Sequence, residues 1–361
     1  MKKILLYMAL AGTIAASAEE KVPTLDQGAP AQPVAPVANP KFPDDIRTAA
    51  PAAPETLFAE LFSNPNPKKT MSLEEGIGFD DPEHSMQDPS NVIKVGDTYY
   101  AWVSWRPVNV HVYNSVIRYI TSKDGRHWEL KGEALGKGPE GSWDAYGVLT
   151  PYVAQVNGRF YMFYTGSDIN WPKGTGNSIG LAVADSPDGP WTRVSDKPVL
   201  TPSHDKTDWD SHINDDAHLI VRDGKYWLYY KGHPNGRPWY QTQQGVAIAD
   251  KIEGPYVKYV GNPVLKSGHC VCVWPHKGGV AAIADMPGEI LWAANGLNFV
   301  MVKRGIWHGA GPGPYDPDAH NDTKSGRGIT WGIEQRGEPT AACPDRNVIG
   351  RWELDLQAAK E

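Results

Sequence analysis

Two aspartates and a histidine stand at equal steps before three tight turns, and their types make an acid–base set. The turn dipeptides are Gly96-Asp97, Asn157-Gly158, Asp223-Gly224 and Lys277-Gly278. Asp88 lies eight residues before Gly96, Asp215 eight before Asp223, and His269 eight before Lys277. The same step back from Asn157 reaches Leu149, next to Thr150 and Pro151. The spacing carries an error of one residue, so Asp216 competes with Asp215. Asp88-Pro89 alone reads as a turn starter, the Asp pair as a loop cap and the His as a structural residue. Their coincidence at one repeat position favours chemistry instead. Cleavage of a glycosidic bond needs such a set: one group withdraws a proton from water, another protonates the leaving oxygen, and a third orients or tunes them.

The elements that must position these groups are strands. NVIKVGDTYYAWV, YVAQVNGRFYMFY and HLIVRDGKYWLYY each read as apolar strand, tight turn and aromatic strand, with CVWPHKGGVAAI a weaker copy. The first three continue into a third strand and another turn (RYITSKDGRHWEL, GLAVADSPDGPWTRV, GVAIADKIEGPYVKY), and the fourth continues as EILWAANGLNFVMV. Units of three or four strands at spacings of 54 to 66 residues are propeller blades. A fifth comes from Gly328 to Leu356, completed by the segment before Gln87. The spacing therefore predicts an all-β, five-bladed β-propeller with a short N-terminal helical segment; a sandwich or β-helix suits the long repeat less well. In a propeller the first strand of each blade lines the central channel, so Asp88, Asp215 and His269 should gather at one mouth.

Around that mouth the sequence offers further polar and aromatic groups. Candidate substrate-binding residues are Asp216, Trp105, Arg106, Thr150, His218 and Trp274. Trp143, Trp171, Trp209 and Trp239 are further sugar platforms, and His212, His233 and Arg237 further polar candidates. The chain holds 14 Trp and 16 Tyr against 7 Phe, a bias that suits stacking on sugars as well as strand packing. The histidines lack tight metal-ligand spacing. With 42 acidic against 35 basic residues and a formal charge of −7, nucleic acid and anionic membrane are poor partners.

The N-terminus reads as an export signal over residues 1–18: Lys2 and Lys3, the apolar run Ile4 to Ile14, then Ala16-Ser17-Ala18. The mature protein should begin near Glu19 and be periplasmic or secreted. Residues 19–53 form a Pro/Ala-rich linker, and residues 54–84 a helical segment whose apolar stripe (Leu57, Phe58, Leu61, Phe62) must dock on its own domain or on a partner chain. The propeller occupies residues 85–361. Three cysteines, Cys270, Cys272 and Cys343, permit at most one disulfide, from Cys343 to one of the pair.

Taken together, QDPSNVIKVGDTYYAW, LTPYVAQVNGRFYMFYTG, IGLAVADSPDGPW, DDAHLIVRDGKYWLYYKG, QGVAIADKIEGPY and GHCVCVWPHKGGVAA resemble glycoside hydrolase family 117. The resemblance runs from about Ser85 to the WGIEQ segment near Trp331. It implies an exo-acting, inverting α-1,3-(3,6-anhydro-L-galactosidase) acting on agar-derived oligosaccharides, and a homodimer formed through the N-terminal helical segment. It makes Asp88 the general base, Asp215 or Asp216 the assisting acid of a DD motif, and His269 the general acid. Related sites can hold a divalent cation near the substrate; no other cofactor is implied. Where the family has Glu after that His, this chain has Cys270. Glu334 in WGIEQ is a candidate replacement. The alternatives are another five-bladed glycosidase, of family 43 type, and a propeller that binds sugar without cleaving it.

Overall fold

Type I′-like turns set the strand geometry: Asn157-Gly158, Asp223-Gly224 and Lys277-Gly278 all have positive φ at both positions, the twist that a two-residue hairpin needs. The computed structural model describes residues 54–64, 69–72, 81–168, 176–237, 241–266, 269–284, 288–305, 310–323, 326–354 and 356, all within one unit, Asp45–Glu361. The export signal, the linker, Trp171 and Trp239 lie outside the described residues.

The hairpins extend into five antiparallel sheets. From the axis outwards, blade 1 runs from a two-piece inner strand, His84–Gln87 and Ile93–Val95, to Thr98–Pro107, Val116–Ser122 and Trp128–Leu135. Blade 2 is Gly147–Val156, Arg159–Ser167, Asn177–Ala184 and Thr192–Arg193. Blade 3 is Ile213–Arg222, Lys225–His233, Gln243–Ala249 and Val257–Lys258. Blade 4 is Val271–His276, Gly279–Ala284, Glu289–Ala293 and Val300–Arg304. Blade 5 is Ala310–Pro314, Trp331–Gly337 and Asn347–Leu354, and its outermost strand, Lys69–Ser72, comes from ahead of blade 1. Lys69 pairs with Leu354 and Ser72 with Arg351, so the two ends of the propeller chain share one sheet. The fifth blade is thus completed as the sequence predicts.

Each blade is covered on both faces by its neighbours, which is why its strands are apolar on both sides. Trp102, Val148, Met162 and Tyr164 fill the space between blades 1 and 2, and Tyr152, Phe163, Leu219 and Leu228 that between blades 2 and 3. Met86, Val103, Ile333 and Ile349 join blades 5 and 1. Burying each large side chain contributes about 1.5–3 kcal/mol. The helix Pro54–Leu61 lays Phe58, Leu61 and the following Phe62 on the Trp274–Trp352 cluster of blades 4 and 5. Phe62 stacks on His276 at 4.6 Å, and His276 Nε2 donates to the Leu61 carbonyl at 2.9 Å. The apolar stripe therefore finds its cover within the same chain.

A repeated Trp-Asp pair braces blades 2 and 3. Trp143 lies against Tyr164 and Trp209 against Tyr230, at 5.7 and 5.5 Å between ring centroids. The adjacent Asp144 and Asp210 accept the two tyrosine hydroxyls at 3.0 Å. A Cβ on Gly166 or Gly232 would come within 2.2 Å of the facing indole. Trp143 and Trp209, candidate sugar platforms by sequence, are thus built into the blades.

The loop after the inner strand of blade 5 crosses the turn end of the channel. Ala319 accepts the Val221 amide at 3.1 Å, and His320 Nε2 meets the Tyr152 hydroxyl at 3.0 Å. Asp322 accepts the amides of the Asp223-Gly224 turn at 2.8 and 2.6 Å. A channel crossed at one end opens at the other.

Blades 1 and 2 are also stapled near the axis: the Asn91 amide donates to the Val153 carbonyl at 2.8 Å and accepts its N–H at 2.9 Å. Asn91→Ala orphans both buried groups and should lower stability by about 2–3 kcal/mol. Urea denaturation should show a lower midpoint with an unchanged m-value; an unchanged midpoint would remove the staple from the account.

Candidate active site

The inner strands do not run smoothly along the channel. Asp88, Thr150 and Asp216 take positive φ, at 47, 46 and 49°, and Gly311 sits at 60°. Pairing registers shift at these places, between Leu149 and Tyr152, Asp215 and His218, and Ala310 and Gly313, while the inner strand of blade 1 breaks between Gln87 and Ile93. Bulges of this kind re-aim a side chain. For a non-glycine residue such a conformation costs on the order of 1–2 kcal/mol, and here three occur at one level of the fold. The bulges border a small cavity to which every blade contributes: Asp88, Thr150, Asp216, Cys270 and Gly311, with His218 also in its wall.

This ring corrects the blade alignment made by counting from the turns. The step from ring residue to turn is eight in blade 1, where Gly96 starts the turn, but seven in blades 2, 3 and 4. A count of eight therefore lands one residue early, on Leu149, Asp215 and His269. Asp216 and Cys270 are the cavity residues in blades 3 and 4. Asp215 is buried behind the ring, and His269 sits beside it with Nδ1 3.5 Å from Thr242 Oγ1.

In blades 1, 2, 3 and 5 the second strand places a polar residue at the bulge. Ser104, Thr165, Lys231 and Gln335 stand opposite Gln87, Leu149, Asp215 and Ala310, one residue before the bulge in each case. Ser104 Oγ donates to Asp88 Oδ2 at 3.3 Å, Thr165 and Thr150 bond through their hydroxyls, and Lys231 Nζ reaches Asp216 Oδ2 at 2.5 Å and Asp215 Oδ1 at 3.4 Å. Two of these partners also reach the next blade. Gln335 Oε1 accepts the Asp88 amide at 2.8 Å, and Ser104 Oγ accepts the Thr150 amide at 2.9 Å.

The family model for glycosyl hydrolases family 43 matches residues 83–218, a stretch that includes both cavity carboxylates. An extracellular endo-α-(1→5)-L-arabinanase of Thermotoga petrophila is 29% identical over 215 residues, covering 48% of this chain and 42% of that protein. An arabinoxylan arabinofuranohydrolase of Bacillus subtilis is 30% identical over 124 residues, covering 31% and 23%. The chain spans less than half the length of these curated relatives. A solved structure of a family 117 glycoside hydrolase from the marine bacterium Zobellia galactanivorans superposes with a TM-score of 0.75 at 28% identity, covering 84% of this chain and 93% of that one. The chain is a divergent relative of the family 117 glycoside hydrolases.

Within that family frame the departures matter. Burial, and then the charge of Asp216, push Asp88 up to about 6 against the opposing pull of Lys231, Gln87 and Ser104. Burial raises Asp215 to about 8, with Lys231 opposing and Asp216 and Asp88 adding. Lys231 is held well above its usual value: burial opposes its charge, but Asp215, Asp216 and Cys270 outweigh that. His269 goes the other way, down to about 2, through burial and the charges of Lys231 and His233. Both of the charges acting on it disfavour its protonated form, the opposite of what a general acid needs near neutral pH. Glu334, the candidate replacement for the family Glu, is buried and does not line the cavity. It neighbours Gln335 on a strand whose successive side chains alternate faces, and it lies 3.6 Å from Arg336.

The other candidates divide. Thr150 and His218 line the cavity, and burial lowers His218 to about 3. Trp105 is stacked on His84 at 4.5 Å with Arg118 over its ring. Arg106 is fully buried and paired with Asp345 at 2.9 Å, and Trp274 is part of the blade 4–5 core. These three do not line the cavity: each is a long side chain consumed by packing or by a buried ion pair. His212 and His233 are buried with rings 6.3 Å apart. The three cysteines form no disulfide. Among the described residues no group of three or more His, Cys, Asp or Glu is arranged to hold a metal ion.

Sequence reading missed Lys231, Ser104, Gln335 and Tyr113. Burial, and then the charge of Asp215, raise the Tyr113 hydroxyl, with Lys231, Asp216 and Asp88 also acting on it. The signal for Lys231 was present, as a lone lysine in the aromatic strand YWLYYKG.

Two expectations follow. Asp88 binds its proton more tightly folded than unfolded, so stability is fullest below the unfolded value and is lost as pH rises towards about 6. Asp88→Asn should therefore be more stable than the parent at neutral pH by on the order of 1–3 kcal/mol, with the gap closing below about pH 4 in urea titrations. Cys270→Glu should return a carboxylate to the neighbourhood of His269 and raise its pKa, read as an upward shift of the imidazole resonances in NMR titration. An unmoved His269 would show that residue 270 does not control it.

Proposed function

We propose that the protein is a secreted, exo-acting, inverting glycosidase that removes a terminal α-1,3-linked 3,6-anhydro-L-galactose from agar-derived oligosaccharides. The observation that carries this reading is the cavity: Asp88 and Asp216 face it, and a loop crosses the far end of the channel. A blind pocket takes the end of a chain. The likeness to the family 117 structure supports glycoside hydrolysis, and the sequence resemblance to that family suggests the sugar.

Above about pH 6 Asp88 is a carboxylate able to take a proton from water as the water oxygen bonds to the anomeric carbon. The glycosidic C–O bond breaks, and the leaving oxygen receives a proton at the cavity-facing Asp216, relayed through Lys231 Nζ, which touches both carboxyls, from Asp215, which keeps its proton up to about pH 8. The base must be ionised and the acid protonated. The kcat/KM profile should therefore fall below about pH 6 and above about pH 8.

The test is incubation with neoagaro-oligosaccharides in parallel with α-1,5-arabino-oligosaccharides, following the monosaccharide released. Single anhydrogalactose units from the non-reducing end are expected, and Asp88→Asn should lose at least about 10³-fold in turnover. Arabinose release alone would move the activity to the family 43 relatives. Binding without release would make this a carbohydrate-binding propeller.

A further inference from the structure

The buried ion cluster behind the cavity has more acid than its one cation can balance. Lys231 Nζ is the only ammonium in contact with Asp215 and Asp216 among the described residues, and all three side chains are almost wholly out of solvent. Asp88 adds a third carboxyl to the same field. Three ionised carboxylates around one ammonium would leave two uncompensated buried charges. Folded proteins avoid this by keeping protons on some of the acids. The contact distances are unequal, 2.5 Å to Asp216 and 3.4 Å to Asp215, so the ammonium pairs most closely with Asp216.

The strand register makes this arrangement specific. The equivalent positions in blades 1, 2 and 5 hold the neutral groups Ser104, Thr165 and Gln335. A cation stands there in blade 3, where two consecutive acids occupy the bulge. We propose that Lys231 is a positioning residue that divides labour between adjacent carboxyls, pairing with Asp216 in the cavity wall and leaving Asp215 to carry the exchangeable proton. The other groups facing this cluster are Asp88 from blade 1, Tyr113 from the loop before Val116–Ser122, and Cys270 and His269 at the start of blade 4. This assignment rests on the hydrolytic reading above for its catalytic consequence, but not for its electrostatics.

The experiment uses the full chain with ¹³C-labelled aspartate carboxyls, Asp215 being assigned by the signal lost in Asp215→Asn. In the parent protein Asp215 should titrate near about 8. In Lys231→Met its midpoint should rise by at least about one pH unit, a tenfold gain in proton affinity, and Lys231→Arg should bring it back. Lys231→Gln serves as the neutral variant if the Met protein does not fold. With neoagarobiose as substrate, the neutral variant should lose about 100-fold in kcat with KM changed less than about threefold, and its alkaline limb should follow Asp215 upward. A folded neutral variant whose Asp215 midpoint is unmoved overturns the proposal. If the parent does not cleave neoagarobiose, the hydrolytic reading fails, while the carboxyl titration still decides the role of Lys231.

Discussion

Everything at the mouth of this propeller depends on a backbone irregularity repeated around the axis. A regular inner strand would present alternate side chains to the channel and none at its rim. Breaking the ladder at Asp88, Thr150, Asp216 and Gly311 opens a cavity at one level and lets every blade place a residue there. Three of the four are non-glycine residues in a left-handed conformation, which the surrounding hydrogen bonds must hold. Ser104, Thr165 and Lys231 do so from the neighbouring strand of the same blade. Gln335 and Ser104 do so for the next blade as well.

That mutual bracing ties the site to closure of the ring. Asp88 takes its amide partner from Gln335 in blade 5, and the blade 5 sheet is completed by Lys69–Ser72 from ahead of blade 1. The strand that closes the propeller therefore also stabilises the sheet that orients a cavity carboxyl. The loop crossing the turn end draws on the same blade, since it follows the inner strand carrying Gly311. Blade 5 contributes little chemistry of its own to the cavity, but it sets the orientation of one acid and the floor beneath the others.

The sequence carried the fold well because hairpin turns and two-sided apolar strands leave strong local signals. The blade count and the completing N-terminal segment could both be read from them. The cavity ring was legible to within one residue. Asp88 lines it as counted, but a step counted from the turns cannot see that blade 1 has one residue more between bulge and turn, so the count reaches Asp215 and His269 where Asp216 and Cys270 line the cavity. The tryptophans misled for a different reason. Trp143, Trp209, Trp105 and Trp274 fall where sugar platforms could be, but glycines and buried partners distant in sequence claim their faces, and only tertiary contacts reveal that. Lys231 went unread because its meaning lies in the strand opposite.

The cysteine at position 270 fits the charge balance that the bulges create. A family-like Glu there would bring a fourth carboxyl to a buried field containing one ammonium, and each added charge would push the others further towards their protonated forms. Without it, Lys231 balances Asp216 directly and Asp215 is the acid raised most, while burial and the charges of Lys231 and His233 lower His269. The absence of an acid at position 270 and the raised pKa of Asp215 are then two sides of one electrostatic constraint.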